Sequence, residues 1–351
     1  MTGPHRAIAA TRVAVRRALA QIDPVTPITP VTSVTPGPRR ALVLVACSGG
    51  ADSLALAAAV AFEAPRAGFS AGAVIVDHDL QEGSLAAAER ATGQCRSLGL
   101  DPVELVRVQV GASGGSEPGS GSGPESRARD ARYGAFEDVA GRLGAVAVLL
   151  GHTRDDQAEQ VLLGLARGSG ARSLAGMPAR RGPYLRPFLG VGRATTAAAC
   201  AAAGLTVWVD PHNSDPAYGR VRARGLLPVL EADLGPGTVA ALARTADLLR
   251  DDADALDDLA AQALSGLGGP GSRSVEAATL LALPRAIRTR VWRLLALEAG
   301  CPPGALISSQ IESLDTLVTA WRGQGPIDLP GHVQGSRNDG RVVVAAIGQV
   351  Q

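Results

Sequence analysis

The sequence predicts an α/β fold, a mostly parallel sheet followed by a smaller, mainly helical domain, on three observations. Residues 41–46 (ALVLVA), 71–77 (AGAVIVD) and 145–151 (AVAVLLG) are short continuous apolar runs, the pattern of strands buried on both faces. Helix-patterned segments at 52–62, 84–98 and 155–167 alternate with them, which favours parallel strands joined by right-handed crossovers. Beyond about residue 215 the alternation stops and longer segments of helical period take over. The divisions expected are therefore 1–40, 41–215 and 216–351.

Taken in order, residues 1–22 hold no acid and set Arg6, Arg12, Arg16 and Arg17 among Ile8, Val13, Val15 and Leu19. A transit peptide has this composition, and so does a first helix packed on the domain, which is the expectation here. Thr-Pro dipeptides at 26–27, 29–30 and 35–36 disfavour helix and predict an extended linker over 24–38. Residues 103–110 make a further strand, and the Gly/Ser-rich stretch 111–123 reads as a loop. In the last third, 238–264, with acids gathered over 251–258, has helical period, as do 283–299 and 306–321. The tail predicts a small hairpin turning at Asn338-Asp339-Gly340.

Composition narrows the chemistry. The 34 cationic side chains are all arginine, so a Schiff-base lysine, a lysyl-adenylate and a GxxxxGK[ST] phosphate loop are excluded. With 33 acids the net charge is +1, too small for nucleic acid to be held by bulk charge alone, although placed arginine forks still pair with phosphates. Apolar residues make up 46 %, ample for a core, but with four Phe, three Trp and three Tyr the packing should be alanine-rich and helical. No apolar run reaches the roughly 18 residues of a membrane span. Cys47, Cys95, Cys200 and Cys301 are scattered with no CxxC pair, which fits a reducing compartment and excludes metal–sulfur spacing.

Ser48-Gly49-Gly50-Ala51-Asp52-Ser53 follows the first buried strand and opens a helix. Glycines admit a ligand close to the backbone, and amides at a helix start bind anions. Two further motifs sit at strand ends, where open α/β sheets bind ligands: Val76-Asp77-His78-Asp79-Leu80, and the run from Gly151 to Gln160 (GHTRDDQAEQ). The adjacent Asp155 and Asp156 suit Mg²⁺ beside a triphosphate; helix capping is the other use of Asp at such a position.

The Ser-Gly-Gly-x-Asp-Ser loop resembles the pyrophosphate loop of N-type ATP pyrophosphatases (PP-loop proteins). Further blocks follow in order: VDHDLQ, Glu125-x-x-Ala128-Arg129-x-x-Arg132-Tyr133, GHTRDDQAEQ, Arg167-Gly168-Ser169-Gly170 with Gly176-Met177, Arg186-Pro187, and Asp210-Pro211-x-Asn213. Over roughly residues 41–230 this is similar to the tRNA(Ile)-lysidine synthase family. The resemblance implies a Rossmann-like ATPase domain that uses ATP and Mg²⁺ in the cytoplasm. It implies adenylation of the wobble cytidine of tRNA(Ile) with a CAU anticodon, displacement of AMP by L-lysine, and a homodimer. It assigns Ser48, Gly49, Gly50, Ala51, Asp52, Ser53, Asp77 and His78 to ATP, and Asp52 and Asp156 to the metal. Asp52, Asp155, Asp156, Arg129 and His152 become catalytic residues, with Asp155 and Asp156 facing either Mg²⁺ or the cationic lysine. Arg129 and Arg132, three apart on a helix, share one face and would meet the α-phosphate or the cytidine. Arg132, Arg220, Arg222 and Arg224 are the tRNA contacts expected; an ordinary amphipathic helix start accounts for the last three equally. Another adenylating ligase of the same fold and a non-catalytic RNA-binding relative are the remaining readings.

Overall fold

The computed structural model describes residues 3–23, 40–77, 83–108, 124–210, 215, 217–267 and 274–347, with side chains in the fourth stretch from 127 onward. The expected linker at 24–38, the Gly/Ser stretch, His78, the Glu125 side chain, Pro211 and Asn213 lie outside these residues. By contacts the chain divides into two compact units, Met1–Asp247 and Leu248–Gln351.

In the first unit, α1 (Arg6–Leu19) buries Ala7, Thr11, Val15 and Leu19, one face repeating every three to four residues. Next come β1 (Leu42–Ala46), α2 (Ala51–Glu63), β2 (Ser70–Asp77), α3 (Ser84–Ser97), β3 (Val103–Arg107), α4 (Pro124–Leu143), β4 (Ala145–Leu150) and α5 (Arg154–Ala166). The short α6 (Ala171–Leu174), β5 (Arg180–Arg181) and β6 (Tyr184–Leu185) lead to α7 (Arg193–Ala202), α8 (Gly219–Asp233) and the start of α9 (Thr238–Gly266). The strand order is β3-β2-β1-β4-β6-β5, parallel except for the last pair. Chain direction across the sheet therefore reverses between β1 and β4, and the crevice beyond their carboxyl ends is the ligand position of such sheets.

The three strands anticipated from apolar runs and the further one at 103–110 are present within a few residues. β4 is buried at all six positions and β1 at its three central ones, as a parallel sheet covered on both faces requires. One layer of the core gathers Leu54, Leu56, Val60, Phe188 and Cys200 against the sheet; the other gathers Phe136, Val139 and Tyr184. The strand pair β5–β6 and the helices α6 and α7 were not anticipated, because their segments are too short or too alanine-rich to show a period.

The second unit contains the rest of α9, then β7 (Ser274–Glu276), α10 (Ala277–Ala282), α11 (Arg285–Glu298), α12 (Ser308–Thr319), β8 (Ile327–Leu329), β9 (Val333–Asn338) and β10 (Arg341–Ala346). The expected hairpin is β9–β10, closed where Arg341 pairs with Asn338. Its two linking residues, Asp339 and Gly340, have φ of 48° and 75°, the left-handed pair of a type I′ turn. Two more strands extend it into an antiparallel sheet, β7-β10-β9-β8. Trp292 is fully buried there and donates its indole N–H to Asp315 at 3.1 Å, while Arg288 clasps the same carboxylate at 2.7 and 3.1 Å. Among the described residues no single helix is long and apolar enough to cross a membrane.

Candidate active site

The Ser48–Ser53 loop lies between the end of β1 and the start of α2, at the reversal of the sheet. Gly49 has φ of 83°, a conformation that other residues rarely adopt. Gly50 is the N-cap of α2 and has no side chain to satisfy the first amides, which leaves them for an anion. The loop holds its own shape. Ser48 donates its amide to Ser53 Oγ at 3.1 Å, and Ser53 Oγ donates to the Gly50 carbonyl at 3.0 Å. Trp208 donates its backbone N–H to Gly49 O at 2.9 Å, tying a distant segment to the loop. From the other side, a Cβ on Gly151 would stand 3.1 Å from the Asp52 carbonyl carbon and the Ser53 nitrogen, so β4 ends against the loop's backbone.

Asp52 occupies the first turn of α2, where a carboxylate suits the helix dipole. Thr196 on α7 donates its hydroxyl to Asp52 Oδ1, and Arg193 Nε lies 3.6 Å from Oδ2. Burial pushes the Asp52 carboxyl above its ordinary range; Thr196 and Arg193 pull it down, and the neighbouring Asp156 and Asp155 push it up again.

Both members of the Asp155-Asp156 pair serve helix ends, the use that capping chemistry anticipates. Asp156 Oδ2 accepts from the N–H and hydroxyl of Thr153, the N-cap of its own helix, at 2.7 and 2.8 Å. Asp155 Oδ2 accepts from the amide of Arg193, the first residue of α7, at 2.8 Å. Burial alone would raise Asp156, but Arg220, Arg193 and the two Thr153 donors hold it below the usual carboxylate range.

One turn further along α5, Glu159 is wholly buried and accepts from three arginines. Arg193 Nη2 lies at 3.1 Å, Arg220 Nε at 3.2 Å and Arg224 Nε at 2.9 Å. Arg193 Nη2 also reaches Asp156 Oδ1 at 3.2 Å, so one guanidinium spans Asp52, Asp156 and Glu159. Those anions keep Arg193 protonated against the effect of burial. Arg193 and Thr196 were missed in the sequence because they sit in an alanine-rich segment without a motif, and Glu159 stood inside a recognised block without a role.

The remaining expected residues are distributed around this cluster. Burial drives the His152 imidazole down to about 4, with the guanidiniums of Arg186, Arg220 and Arg129 acting in the same direction and Asp156 opposing. His152 Nδ1 is buried without a hydrogen-bond partner, an orphan that a ligand would satisfy. Arg129 and Arg132 lie exposed on α4, and Arg129 reaches the Tyr133 hydroxyl at 3.4 Å. Asp77 ends β2 and pairs with Arg107 of β3 at 3.5 Å. Of the α8 arginines, Arg220 and Arg224 turn in to Glu159, whereas Arg222 is exposed and donates to the Ala217 carbonyl at 2.9 Å.

The donor set also decides how a divalent cation would fit. Among the described residues no three His, Cys, Asp or Glu are grouped to hold a metal. Mg²⁺ characteristically binds one or two carboxylates plus substrate phosphates, so such a group is not required. Asp52 Oδ2 has only a long ion pair and suits this role; both oxygens of Asp156 are engaged by Thr153 and Arg193.

A glycine-built anion loop at the switch point of a parallel sheet, flanked by carboxylates, defines a PP-loop nucleotide-binding domain. The PP-loop domain model matches residues 28–230, and the model of the TilS substrate binding domain matches 276–343. The chain is 56 % identical over 347 residues to tRNA(Ile)-lysidine synthase of Thermobifida fusca (strain YX), covering 99 % of this chain and 100 % of that one. It is 57 % identical over 357 residues to the synthase of Streptomyces coelicolor (97 % and 99 % covered). Identity to that of Mycobacterium tuberculosis (strain ATCC 25618 / H37Rv) is 50 % over 296 residues (84 % and 86 %). The chain belongs to the tRNA(Ile)-lysidine synthase family. The fold is shared with the U34-tRNA thiolase NcsA from Methanococcus maripaludis, at a TM-score of 0.54 and 17 % identity over 70 % of this chain and 79 % of that one.

Proposed function

We propose that this chain ligates L-lysine to C2 of the wobble cytidine in tRNA(Ile) with a CAU anticodon, in the cytoplasm and as a homodimer. The C2 oxygen of cytidine attacks the α-phosphorus of ATP and pyrophosphate leaves. The amine of lysine then attacks C2, and AMP departs with the oxygen. The observation carrying this reading is the junction of the Ser48–Ser53 loop with Asp52, held by Thr196 and Arg193.

In this reading the loop amides and the serine hydroxyls hold the β- and γ-phosphates, and Asp77 and His78 belong to the same ATP site. Asp52 would hold Mg²⁺, Asp156 could join it only by releasing Arg193, and the ion would supply neutralisation of phosphate charge. Arg129 and Arg132 neutralise the α-phosphate or hold the cytidine, and Arg132 and Arg222 are the tRNA-facing cations, whereas Arg220 and Arg224, turned in to Glu159, brace the helix that carries Arg222. His152, kept neutral, hydrogen-bonds the reacting base or a phosphate oxygen through Nδ1. Asp155 and Asp156 are the carboxylates offered to the lysine ammonium, Asp156 by exchanging Arg193 for it.

The test incubates the protein with ATP, Mg²⁺, radiolabelled lysine and a CAU-anticodon isoleucine tRNA transcript. Label should enter this RNA and not a methionine tRNA, and Asp52→Ala should abolish AMP release without unfolding the protein. Folded protein that transfers no label would overturn the reading.

A further inference from the structure

A second cavity, of about 300 Å³, opens on the face of the first unit where α1, α2 and α7 meet. Its floor is made of Ala55, Ala59 and Ala199, and its rim carries Arg12, Phe62 and Arg66. That volume is at the low end of small-molecule sites, which run from roughly 300 to 1,000 Å³.

The charge around it is one-sided. The Arg12 guanidinium carbon lies 3.3 Å from the Phe62 ring centroid and that of Arg66 lies 3.5 Å from it. Two guanidiniums at those heights would overlap on one face, so they sandwich the ring. Stacking on an aromatic face steadies each cation but neutralises neither. The nearby acid, Glu63, is already clasped by Arg16 at 2.8 and 2.9 Å. Among the described residues no carboxylate stands within ion-pair distance of Arg12 or Arg66, so both guanidiniums at the rim lack a counter-charge in contact.

We propose that this cavity binds a small organic carboxylate with an aliphatic or aryl body. The carboxylate accepts from Arg12 and faces Arg66, and the body lies on the alanine floor. A purely apolar molecule leaves both rim guanidiniums without a counter-charge, and a bare inorganic anion leaves the apolar floor wet. The site is separate from the nucleotide loop, although its α2 and α7 walls continue to Asp52 and Thr196.

The test uses the full chain and hexanoate as the probe, with saturation-transfer NMR and calorimetry. Hexanol and hexylammonium serve as the uncharged and oppositely charged controls. Saturable hexanoate binding is expected, with both controls at least about tenfold weaker, the scale of one charge-assisted pair. Arg12→Gln and the cavity-filling Ala58→Leu should each weaken hexanoate at least about tenfold. Circular dichroism melts identify whether either variant is unfolded, and Arg66→Gln replaces one that is. Absence of saturable hexanoate binding would overturn the proposal. So would equal binding of hexylammonium, or binding undiminished in the folded variants.

Discussion

Thr196 and Asp52, 144 residues apart in the chain, share a hydrogen bond in which the threonine hydroxyl donates to the carboxylate at the base of the nucleotide loop. This bond lowers the proton affinity of an acid that burial raises. Thr196→Val removes the donor, so the acidic limb of the pH–rate profile should move to higher pH. Pyrophosphate release near neutrality should fall about tenfold, as expected for loss of one hydrogen bond to a charged group. Thr196→Ser should retain most activity; an unchanged limb in the valine variant would show that Thr196 does not tune Asp52.

Gly151 has room for hydrogen only. Gly151→Ala would press a methyl group onto the Asp52–Ser53 peptide at 3.1 Å, and that peptide is backbone that cannot rotate away. The expected cost is about 1–3 kcal/mol of stability, together with a raised KM for ATP. Thermal melts and initial rates measure both.

His152 gives the fold a pH dependence of predictable sign. Its folded value, about 4, lies below the ordinary 6.5. The unfolded chain therefore binds a proton there before the fold does. This group's contribution is whole above pH 6.5 and is lost as pH falls toward 4, about 3 kcal/mol in all. Asp52, raised by burial, acts in the opposite sense, losing its contribution as pH rises through its folded value. Denaturant melts at pH 7 and pH 4.5 should show a larger loss in wild type than in His152→Asn. Equal losses would contradict a buried neutral imidazole.

Glu159→Gln would leave Arg193, Arg220 and Arg224 around an uncharged amide. Breaking such buried pairing costs about 3–5 kcal/mol. The loss should appear as a lower denaturation midpoint, with ATP turnover falling in parallel.

The α8 arginines divide by exposure. Arg222→Ala should weaken tRNA binding and reduce the slope of log K against log salt by about 1, the signature of one phosphate contact. Arg224→Gln should act mainly on stability, because its guanidinium faces Glu159. A filter-binding series across salt concentrations separates the two.

Much of the first unit was legible because its strands are buried on both faces and its loop has a narrow pattern. β1, β2 and β4 read as apolar runs, and Ser48–Ser53 read as an anion site from glycine placement and the helix that follows. The hairpin at Asp339-Gly340 was legible for a similar local reason: two adjacent residues with positive φ favour few residue types. What local patterning does not encode is pairing across the chain. Arg193 carries no signal in its own neighbours, and its importance arises only when folding sets α7 beside α2 and α5. The helix-capping use of Asp155 also depends on a helix that begins nearly forty residues later. Composition showed that every cation is arginine, and the structure shows why that matters at Glu159, where forked planar groups share one carboxylate.

The convergence on Glu159 closes the chain between α7 and α8 into a ring without a covalent bond. Arg193 enters from one side of that segment and Arg220 and Arg224 from the other, and all end on the same anion. Any shift of α8 alters the charge balance that steadies Arg193, and Arg193 is the cation beside Asp52. The helix bearing Arg222 and the acid under the nucleotide loop thus belong to one electrical circuit, and Glu159 is its common terminal.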